Sequence, residues 1–532
     1  MRACGWSLAL VGLGAMSGCG RFLFDPLTDA GSQPPLVIEL VCETSATIDH
    51  PYGCAPTAPL PIADEILTWR AGPAHTCGWL AVESTHGAIG GTPSRSNIGA
   101  CTGELEVTSS LRGTATTSWT VEVAPITVVQ VDIGSSHTCA LSSIGTIRCW
   151  GDNFAGQLGY NDNLAVSNGA AGRSIAEMGD VPVGGKVIQI SLAYQETCAL
   201  LDTGGVRCWG AGSFSRLGYE HVMDIGKGGP GGSIISNGDI PLGGKATKVA
   251  AGGNGGCALM ASGGVRCWGL WHGHDNGNQL RGVAIVAAGD VPIGGGPIAD
   301  LAYGYGHACA LTMIGKVRCW GFAGALGYND SVNVGTGIAG HSIMQMGDVP
   351  VGASVVHLSA GDDTTCGVLE SGAVRCWGSN QYGQLGYNDV LAVGNGAVGR
   401  AITDLGDVPV GALVQRAWAG EEHICAVTRT NAVRCWGKNV EGQLGYNDTL
   451  QVGDGTAGRS IIDLGDVPVG GEVREVVTTD WDTGHTCVLM KSGAIRCWGN
   501  NASGQLGHGN VLNIGNGGAG GTILANGDVT PF

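Results

Sequence analysis

One phrase recurs seven times after residue 130: two cysteines with nine residues between them, the second inside Arg-Cys-Trp-Gly. The second cysteines are Cys149, Cys208, Cys267, Cys319, Cys376, Cys435 and Cys497. Successive copies are therefore 52 to 62 residues apart. Repetition at this period, built from short strand-like runs and turns, is typical of a β-propeller, in which each repeat forms one sheet of a ring. The repeats predict the architecture of most of the chain and favour binding over catalysis.

Composition narrows the classes of protein further. Of the 532 residues, 96 are glycine, without the three-residue period of collagen, which suits many tight turns between short strands. Only 13% are charged and 43% are apolar, a balance that argues against disorder. The net charge of −17 disfavours nucleic acid as a partner, because nucleic-acid binding needs a basic surface.

The first eighteen residues have the pattern of a secretory signal peptide. Arg2 supplies the positive start, and residues 8–13 form an apolar run too short to span a membrane. Met16-Ser17-Gly18-Cys19 follows and resembles the bacterial lipoprotein box, in which the cysteine is acylated and becomes the new N-terminus. The resemblance implies lipidation at Cys19, a linker over residues 19–34, and an exported protein at the bacterial outer membrane or cell surface. After residue 20 no stretch is long and apolar enough to cross a bilayer, so this lipid anchor is the expected membrane contact.

Residues 35–124 have a different sequence pattern from the repeats. Short runs of alternating apolar and polar residues, such as 103–107 and 119–123, read as strands separated by turns. The turn Gly87-Ala-Ile-Gly-Gly-Thr-Pro resembles that of bacterial immunoglobulin-like (cadherin-like) modules, and this resemblance implies a β-sandwich that acts as a spacer or stalk. Its four cysteines allow three connectivities. Cys77–Cys101, which brackets the turn, with Cys42–Cys54 is the preferred one.

Within each repeat, three strand-length runs precede a glycine-rich connection. The shared pattern is A-G…H-x-C-A-L…G-x-V-x-C-W-G-x-N…G-Q-L-G, and it runs through residues 125–532. This pattern resembles the regulator-of-chromosome-condensation repeat, whose known fold is a seven-bladed β-propeller. The third copy departs from it at Leu270–Asp275, and the fourth is two residues short at Gly321–Gly327. The expected fold is therefore all-β, a seven-bladed propeller preceded by an Ig-like β-sandwich.

The connecting motif indicates how the ring closes. Gly-Asp-Val/Ile-Pro also occurs seven times, but the first repeat has no copy upstream. The last copy, Gly-Asp-Val-Thr from Gly527, lies five residues from the C-terminus with no repeat after it. We expect this C-terminal strand to complete the first blade and so to cover an edge that would otherwise promote aggregation.

The repeat cysteines are predicted to form one disulfide per hairpin. Cys139 and Cys149 lie symmetrically about Ile144, so a three-residue hairpin loop places them directly opposite each other. Export to an oxidising compartment favours bridges over free thiols. The predicted hairpin disulfides are Cys139–Cys149, Cys198–Cys208, Cys257–Cys267, Cys309–Cys319, Cys366–Cys376, Cys425–Cys435 and Cys487–Cys497.

Several motifs contain residue types that can carry chemistry, yet each has a simpler structural explanation. His137, His307, His423 and His485 share one register position, which indicates hydrogen bonding at a strand start. The Asp residues of Tyr-Asn-Asp resemble calcium ligands, but Asn, Asp and Gly are also turn formers and the closing Glu of a calcium loop is absent. His272-Gly-His274-Asp275 is better explained as a solvated loop than as a metal site. We therefore expect no catalytic residues, no metal and no cofactor.

Specificity is expected where the repeats differ from one another. The loops that precede the first cysteine of each pair vary and contain aromatic residues with acidic neighbours, a composition suited to a protein-binding face. The candidate binding residues are Tyr194, Trp271, Tyr303, Tyr305 and Trp481. Packing over the blade ends is the alternative for each of them.

The sequence therefore predicts a monomeric, non-catalytic binding protein displayed at the bacterial cell envelope, with a protein or a surface ligand as its unidentified partner. Members of the repeat family act as a nucleotide exchange factor for a nuclear GTPase and as a secreted β-lactamase inhibitor, so the resemblance leaves the partner open. One alternative is an envelope enzyme acting on polysaccharide through the propeller funnel. That alternative requires unlike charged residues from several blades to converge, and no such set is evident in the repeats. The other alternative is a purely structural surface component.

Overall fold

A computed structural model describes residues 36, 38–40, 42–43, 45–47, 51–57, 66–270, 272–275, 282–479 and 484–532. The chain divides into two compact units, Met1–Ile126 and Thr127–Phe532. The predicted signal peptide and linker, with Cys19, lie outside the described residues. Among the residues that are described, no helix has the length and apolar character needed to cross a bilayer.

Short strands joined by turns form the first unit. They are β1 (Glu39–Leu40), β2 (Ser45–Thr47), β3 (Tyr52–Cys54), β4 (Pro56–Thr57), β5 (Leu67–Ala71), β6 (Ala81–Val82), β7 (Ile89–Gly91), β8 (Gly99–Ser109) and β9 (Gly113–Ala124). The main sheet has the order β2-β9-β8-β5, with β2 parallel to β9, and a second sheet has the order β3-β7-β6. A 3-10 turn covers Arg95–Asn97.

Alternation along the two long strands builds the core of this unit. Leu105 and Val107 of β8 and Val121 and Val123 of β9 are fully buried beside Trp69, while the residue between the two valines of β9 faces outward. The disulfides Cys42–Cys54 and Cys77–Cys101 are both present. The core and the bridges account for the folding of this unit.

Seven three-stranded antiparallel sheets, here called sheets one to seven, make up the second unit. Their strands in chain order are β10 (Val128–Ile133), β11 (His137–Ser142), β12 (Ile147–Gly151), β13 (Val187–Ala193), β14 (Glu196–Leu201), β15 (Val206–Gly210), β16 (Ala246–Gly252), β17 (Gly255–Met260), β18 (Val265–Gly269), β19 (Ile298–Tyr303), β20 (His307–Thr312), β21 (Val317–Gly321), β22 (Val355–Ala360), β23 (Thr364–Leu369), β24 (Val374–Gly378), β25 (Val414–Ala419), β26 (His423–Thr428), β27 (Val433–Gly437), β28 (Val473–Thr478), β29 (His485–Met490) and β30 (Ile495–Gly499). In every sheet the second strand lies in the middle.

The second and third strands of each sheet form the disulfide-bearing hairpin. Cys139 pairs directly with Cys149 in the strand register, and their Cα atoms are 4.1 Å apart. All seven hairpins contain the bridge that the cysteine spacing predicts. The tryptophan that follows each second cysteine is fully buried, so the Arg-Cys-Trp-Gly motif supplies both a cross-link and a core side chain.

Each of the six connections between sheets, and the C-terminal segment after the seventh sheet, contains one short helix. The helices are α1 (Ile175–Met178), α2 (Ile234–Asn237), α3 (Val283–Ala288), α4 (Ile343–Met346), α5 (Ile402–Leu405), α6 (Ile461–Leu464) and α7 (Ile523–Asn526). Further 3-10 turns cover Ser213–Ser215 and Ala323–Ala325. Ser174 begins α1 in a capping box with Glu177, and Gly179 ends it at a positive φ of 68°, which explains the glycine of Gly-Asp-Val-Pro.

The aspartate of Gly-Asp-Val-Pro is the ion-pair partner of the arginine of Arg-Cys-Trp-Gly. Arg207 Nε donates to Asp239 of the connection that follows its sheet, at 2.7 Å. Its Nη1 donates to the Val183 carbonyl of the connection that precedes its sheet, at 2.6 Å. The equivalent ion pair occurs in all seven sheets. Each arginine therefore ties two neighbouring connections together.

The C-terminal segment joins the seventh sheet to the first. Val529 donates its N–H to Ile495 O at 2.8 Å and bridges the seventh sheet, so it does not complete the first sheet as expected from the sequence. The first sheet is reached by the residues beyond it. Arg148 donates to Pro531 O at 2.8 Å, and the Phe532 ring lies 5.2 Å from the same guanidinium. The tail thereby supplies the preceding connection that the first repeat lacks.

Candidate functional site

The histidines that share a register position connect neighbouring sheets. His137 Nε2 lies 3.0 Å from Thr197 Oγ1 of the next sheet, and that hydroxyl donates to Gln157 O at 2.9 Å. Trp209 Nε1 donates to the same carbonyl at 2.9 Å. His485 of the seventh sheet lies 3.2 Å from Thr138 of the first, so this network also crosses the closure. These histidines are structural, as the sequence indicates.

Burial keeps these imidazoles neutral. It lowers the pKa of His137, His423 and His485 to about 3 and that of His307 to about 4, because an imidazolium would lose its hydration inside the protein. They are therefore hydrogen-bonding groups and not proton carriers near neutral pH.

The aspartates of Tyr-Asn-Asp hold their own loops. Asp162 receives hydrogen bonds from Arg173 Nη1 at 2.6 Å, from Arg173 Nη2 at 3.0 Å and from Asn153 Nδ2 at 2.9 Å. The preceding Asn161 has a φ of 61°, the left-handed conformation that Asn tolerates in turns. Asp389 and Asp448 are bound by Arg400 and Arg459 in the same way. Arginine occupies the position where a calcium ion would have to bind these carboxylates.

The His272–Asp275 segment replaces a structural tyrosine. Tyr160 Oη donates to Gly179 O at 3.2 Å, and His274 Nε2 lies 3.3 Å from Gly289 O, the equivalent carbonyl. His272 is buried, with its Nδ1 3.2 Å from Nδ1 of His274. Among the described residues, no group of three or more His, Cys, Asp or Glu side chains is arranged to hold a metal ion.

The loops between first and second strands lie at one end of the sheets, here called the loop face, together with the segment that follows each Cys-Trp-Gly. Asp152 N donates to Ser136 O at 2.8 Å and joins the two kinds of segment. Tyr194 and Tyr305 are half-buried on this face. Tyr303 is 4% exposed, and its hydroxyl donates to Leu270 O at 2.8 Å, so for this residue the structure shows packing, the alternative to a binding role. Trp271 and Trp481 lie outside the described residues.

Tyr303 is buried because its neighbour has no side chain. A Cβ placed on Gly252 of the third sheet would lie 2.0 Å from the Tyr303 ring, and one on Gly253 would lie 2.1 Å from the Tyr305 ring. The two tyrosines of the fourth sheet therefore pack over two glycines of the third. This contact requires glycine at both positions.

Departures from the repeat concentrate around the second sheet. Glu196 occupies the register position of His137, and Arg216 occupies that of Gln157, since its carbonyl accepts from Trp268 Nε1 as the Gln157 carbonyl accepts from Trp209. The guanidinium of Arg216 lies 5.7 Å from the Tyr194 ring and 5.9 Å from the Phe214 ring. Tyr194, Phe214 and Arg216 thus form a stacked set on the loop face.

Residues near Arg216 also have an unusual backbone conformation or an unusual burial. Phe214 and Ser215 have φ values of 58° and 60°, and Ser215 stands where most of the other sheets have glycine, for example Gly156. Glu196 is fully buried, and neither of its carboxylate oxygens has a hydrogen-bond partner among the described residues. Burial raises the pKa of Glu196 well above its ordinary value, although Arg216 opposes this. Strained and unpaired groups of this kind are expected at functional sites, where stability is sacrificed.

Replacing this glutamate should stabilise the protein in a pH-dependent way. Between the ordinary pKa and the raised one, the unfolded chain is ionised while the folded protein holds the proton, so Glu196 costs stability as the pH rises. Glu196→Gln removes this cost. Its gain in unfolding free energy should grow by up to about 1.4 kcal/mol per pH unit above pH 5. Urea unfolding at pH 5 and pH 8 measures the gain, with Glu370→Gln, at an exposed position, as the control. Equal gains at both pH values would contradict the assignment.

The first strands of the seven sheets line a central channel with a volume of about 470 Å³. One register position of these strands faces the channel in every sheet. It carries Gln130, Gln189, Lys248, Asp300, His357, Arg416 and Glu475. A convergent set of unlike charged residues, which is not evident in the repeats themselves, is therefore present, because the ring brings together positions some 60 residues apart.

In sheets one and two, side chains that line the channel form hydrogen bonds to the next sheet. Gln130 donates to Ile190 O at 2.8 Å and accepts from Ile190 N at 2.9 Å, and Gln189 clamps Val249 of the third sheet in the same way. Asp132 accepts from Leu192 N at 2.9 Å, and burial raises the pKa of this carboxyl to about 7. These side chains hold sheets one to three together.

The RCC1 family profile matches five segments of the chain. The description of the family is "Regulator of chromosome condensation (RCC1) repeat", and the matched residues are 128–157, 298–323, 355–384, 419–443 and 483–505. These segments belong to sheets one, four, five, six and seven. The departures around Glu196 thus lie in sheets that the matched segments leave out.

Two curated relatives illustrate the range of similar proteins. The chain is 25% identical over 401 residues to the ultraviolet-B receptor UVR8 of Arabidopsis thaliana, covering 73% of this chain and 80% of UVR8. It is 25% identical over 392 residues to the E3 ubiquitin-protein ligase HERC2 of Homo sapiens, covering 70% of this chain and 7% of HERC2. The similarity to HERC2 therefore concerns a small part of that protein.

Solved structures of similar proteins share the fold. Yeast RCC1 (Prp20), crystallised with Kap60, is 18% identical with a TM-score of 0.53, covering 74% of this chain and 84% of that one. Human WBSCR16 is 18% identical with a TM-score of 0.51, covering 80% of this chain and 100% of that one. Repeats, register and fold agree, and the chain contains RCC1 repeats over the five matched segments and has the fold of RCC1-like propellers.

Proposed function

We propose that this protein is a non-catalytic binding protein of the bacterial cell envelope, which recognises a protein or surface ligand through the loop face of a seven-bladed propeller. One observation carries the proposal. Departures from the repeat that reduce stability, namely the unpaired Glu196 and the left-handed Phe214 and Ser215, coincide with the stacked set of Tyr194, Phe214 and Arg216. Selection for folding alone would favour the residues that the other sheets use.

The chemistry of the stacked set suits an interface. Aromatic side chains and arginine are the residues that most often dominate binding energy, because they bury a large area at a low cost in rotamer entropy. Phe214 is 49% exposed, and Tyr194 holds one face of the Arg216 guanidinium. Arg216 itself is 4% exposed, so the set presents an aromatic surface that lies over a buried cation.

Related proteins support a binding role. Yeast Prp20p is described with binding properties to Gsp1p and histones, yeast RCC1 is seen bound to Kap60, and UVR8 is named a receptor. The ligase activity in the names of the HERC proteins belongs to chains of which this sequence spans a small part. Binding is the property that we extend to this chain.

The proposal also includes the location of the protein at the cell envelope and the role of the first unit as a spacer. The signal pattern over residues 1–18 and the lipoprotein-like box at Cys19 support export and lipid anchoring. We propose that the first unit is the Ig-like spacer that carries the propeller. Nine disulfides in the structure suit an oxidising compartment.

The test is a photo-crosslinking comparison in intact cells. A photo-reactive amino acid at Phe214 should capture one specific partner. The same amino acid at Ile314, which is more exposed and lies in a hairpin turn at the opposite end of the sheets, should not. Tyr194→Ala combined with Phe214→Ala should weaken binding of the captured partner about 30-fold or more, as expected for a hot spot of about 2 kcal/mol. Met313→Ala with Ile314→Ala is the matched control. Equal capture from both ends would contradict the proposal.

A further inference from the structure

The part of the channel lined by sheets five and six contains described polar groups that have no hydrogen-bond partner. Among the described residues, the side chain of Arg416, which is exposed and lines the channel from the sixth sheet, forms no hydrogen bond and no ion pair. Nδ1 of the neighbouring His357 is buried without a partner. In the first three sheets the equivalent side chains are bonded to the next sheet. The difference separates structural groups from groups that are available to a ligand.

Arg416 lies near other charged groups of the channel but forms no ion pair with them. Lys248 is paired with Asp300 of the next sheet, and the Glu475 carboxylate lies beyond ion-pair distance of Arg416. Burial, with smaller contributions from Arg416 and Lys248, lowers the pKa of His357 to about 3. Burial and Arg416 likewise lower the pKa of Lys248 to about 8. Arg416 and Lys248 thus both disfavour a positive charge on the His357 ring.

An aromatic surface lies beside these groups. Trp418, two residues beyond Arg416 on the same strand, lines the channel, and its ring centre lies 5.2 Å from that of His357. The cavity of about 470 Å³ is large enough for a small organic molecule. A positive group at the centre, a hydrogen-bonding imidazole and a flat apolar wall define the ligand chemistry.

We propose that the channel binds a small organic oxyanion, a carboxylate or a phosphate, held by Arg416 and His357 and packed against Trp418. Arginine offers its donors in a planar fork that matches both kinds of oxyanion. The protein as a whole has a net charge of −17, so the attraction must come from this local arrangement. This site is distinct from the stacked set on the loop face and gives the propeller a second binding function.

Calorimetry with three sugars of one size tests the proposal on the full mature chain. Glucose 6-phosphate and glucuronate carry the two oxyanions, and glucose carries none. We expect at least one of the two anions to bind and glucose not to bind. The anion that binds identifies the site as one for phosphates or one for carboxylates.

Two charge-removing variants make the test specific. Arg416→Gln should weaken anion binding about tenfold or more, because it removes a charge-assisted bidentate contact. Lys491→Gln, at a surface lysine paired with Glu472, should leave it unchanged. The anion should also raise the pKa of His357, which NMR titration of its ring protons measures. Failure of both anions to bind, equal binding of glucose, or undiminished binding by Arg416→Gln would overturn the proposal.

Discussion

Reduction of the seven hairpin disulfides should unfold the repeat unit at temperatures where the oxidised protein is fully folded. Each bridge closes a loop with a sequence separation of 10, which contributes about 2–3 kcal/mol in the chain-entropy model. Seven such contributions exceed the total stability of about 5–15 kcal/mol that is typical of a domain. Thermal unfolding followed by circular dichroism, with and without reductant, measures the effect.

Access to the bridges decides how this experiment is designed. The repeat cysteines are at most 2% exposed, so reductant reaches them only when a sheet opens, and samples must be reduced in denaturant before refolding is attempted. Cys366→Ala with Cys376→Ala should cost about 2–3 kcal/mol. Labelling of thiols in the unfolded, unreduced protein is the control. Reactivity of most of the fourteen repeat cysteines would show that the bridges do not form in the exported protein.

The local structure of the repeats could be predicted from the sequence because it depends on short-range rules. Cysteines placed symmetrically about Ile144 require a hairpin with a three-residue loop, and the strand register pairs Cys139 with Cys149 as that rule demands. The seven copies of the repeat likewise predict seven similar sheets. Pairing between residues ten positions apart needs no knowledge of the ring.

The sequence also contains a signal for the closure of the ring, although the recurring motifs alone do not reveal it. Each histidine at a strand start, such as His137, is matched by a threonine one position later in the strand of the next sheet, such as Thr197. A sheet without the histidine can be followed by one without the threonine, as Glu196 is followed by Gly256. His485 of the last sheet is matched by Thr138 of the first. This correlation predicts that the seventh sheet contacts the first.

The channel could not be found by searching for recurring motifs. Its lining position carries a different residue in almost every sheet, so it looks like ordinary variation along a strand. Only the ring places Lys248, His357 and Arg416 around one cavity. Tyr303 illustrates the converse case, because an aromatic residue in a variable loop becomes buried when its neighbour is Gly252.

Deletion of residues 528–532 should open the ring between the seventh and first sheets. The deletion removes the Asp528–Arg496 ion pair, the Val529 N–H bond to Ile495 O and the Pro531 carbonyl that Arg148 uses. Val529 is also buried, so the loss of its contacts adds to the loss of these bonds. Together these terms amount to about 5 kcal/mol. Denaturant unfolding should show this loss, and size-exclusion chromatography should show association that increases with concentration, because an unpaired sheet edge is exposed.

A matched variant separates the loss of one ion pair from the loss of closure. Asp290→Asn removes the equivalent partner of Arg266 between the third and fourth sheets, where the chain itself still joins the sheets. It should destabilise the protein less than the deletion does and leave it monomeric. Association should therefore follow from the open edge and not from lower stability alone. A truncated protein that stays monomeric with unchanged melting would show that the tail does not close the ring, and the contacts of Thr138 with His485 and Gln505 would then suffice to hold the seventh sheet against the first.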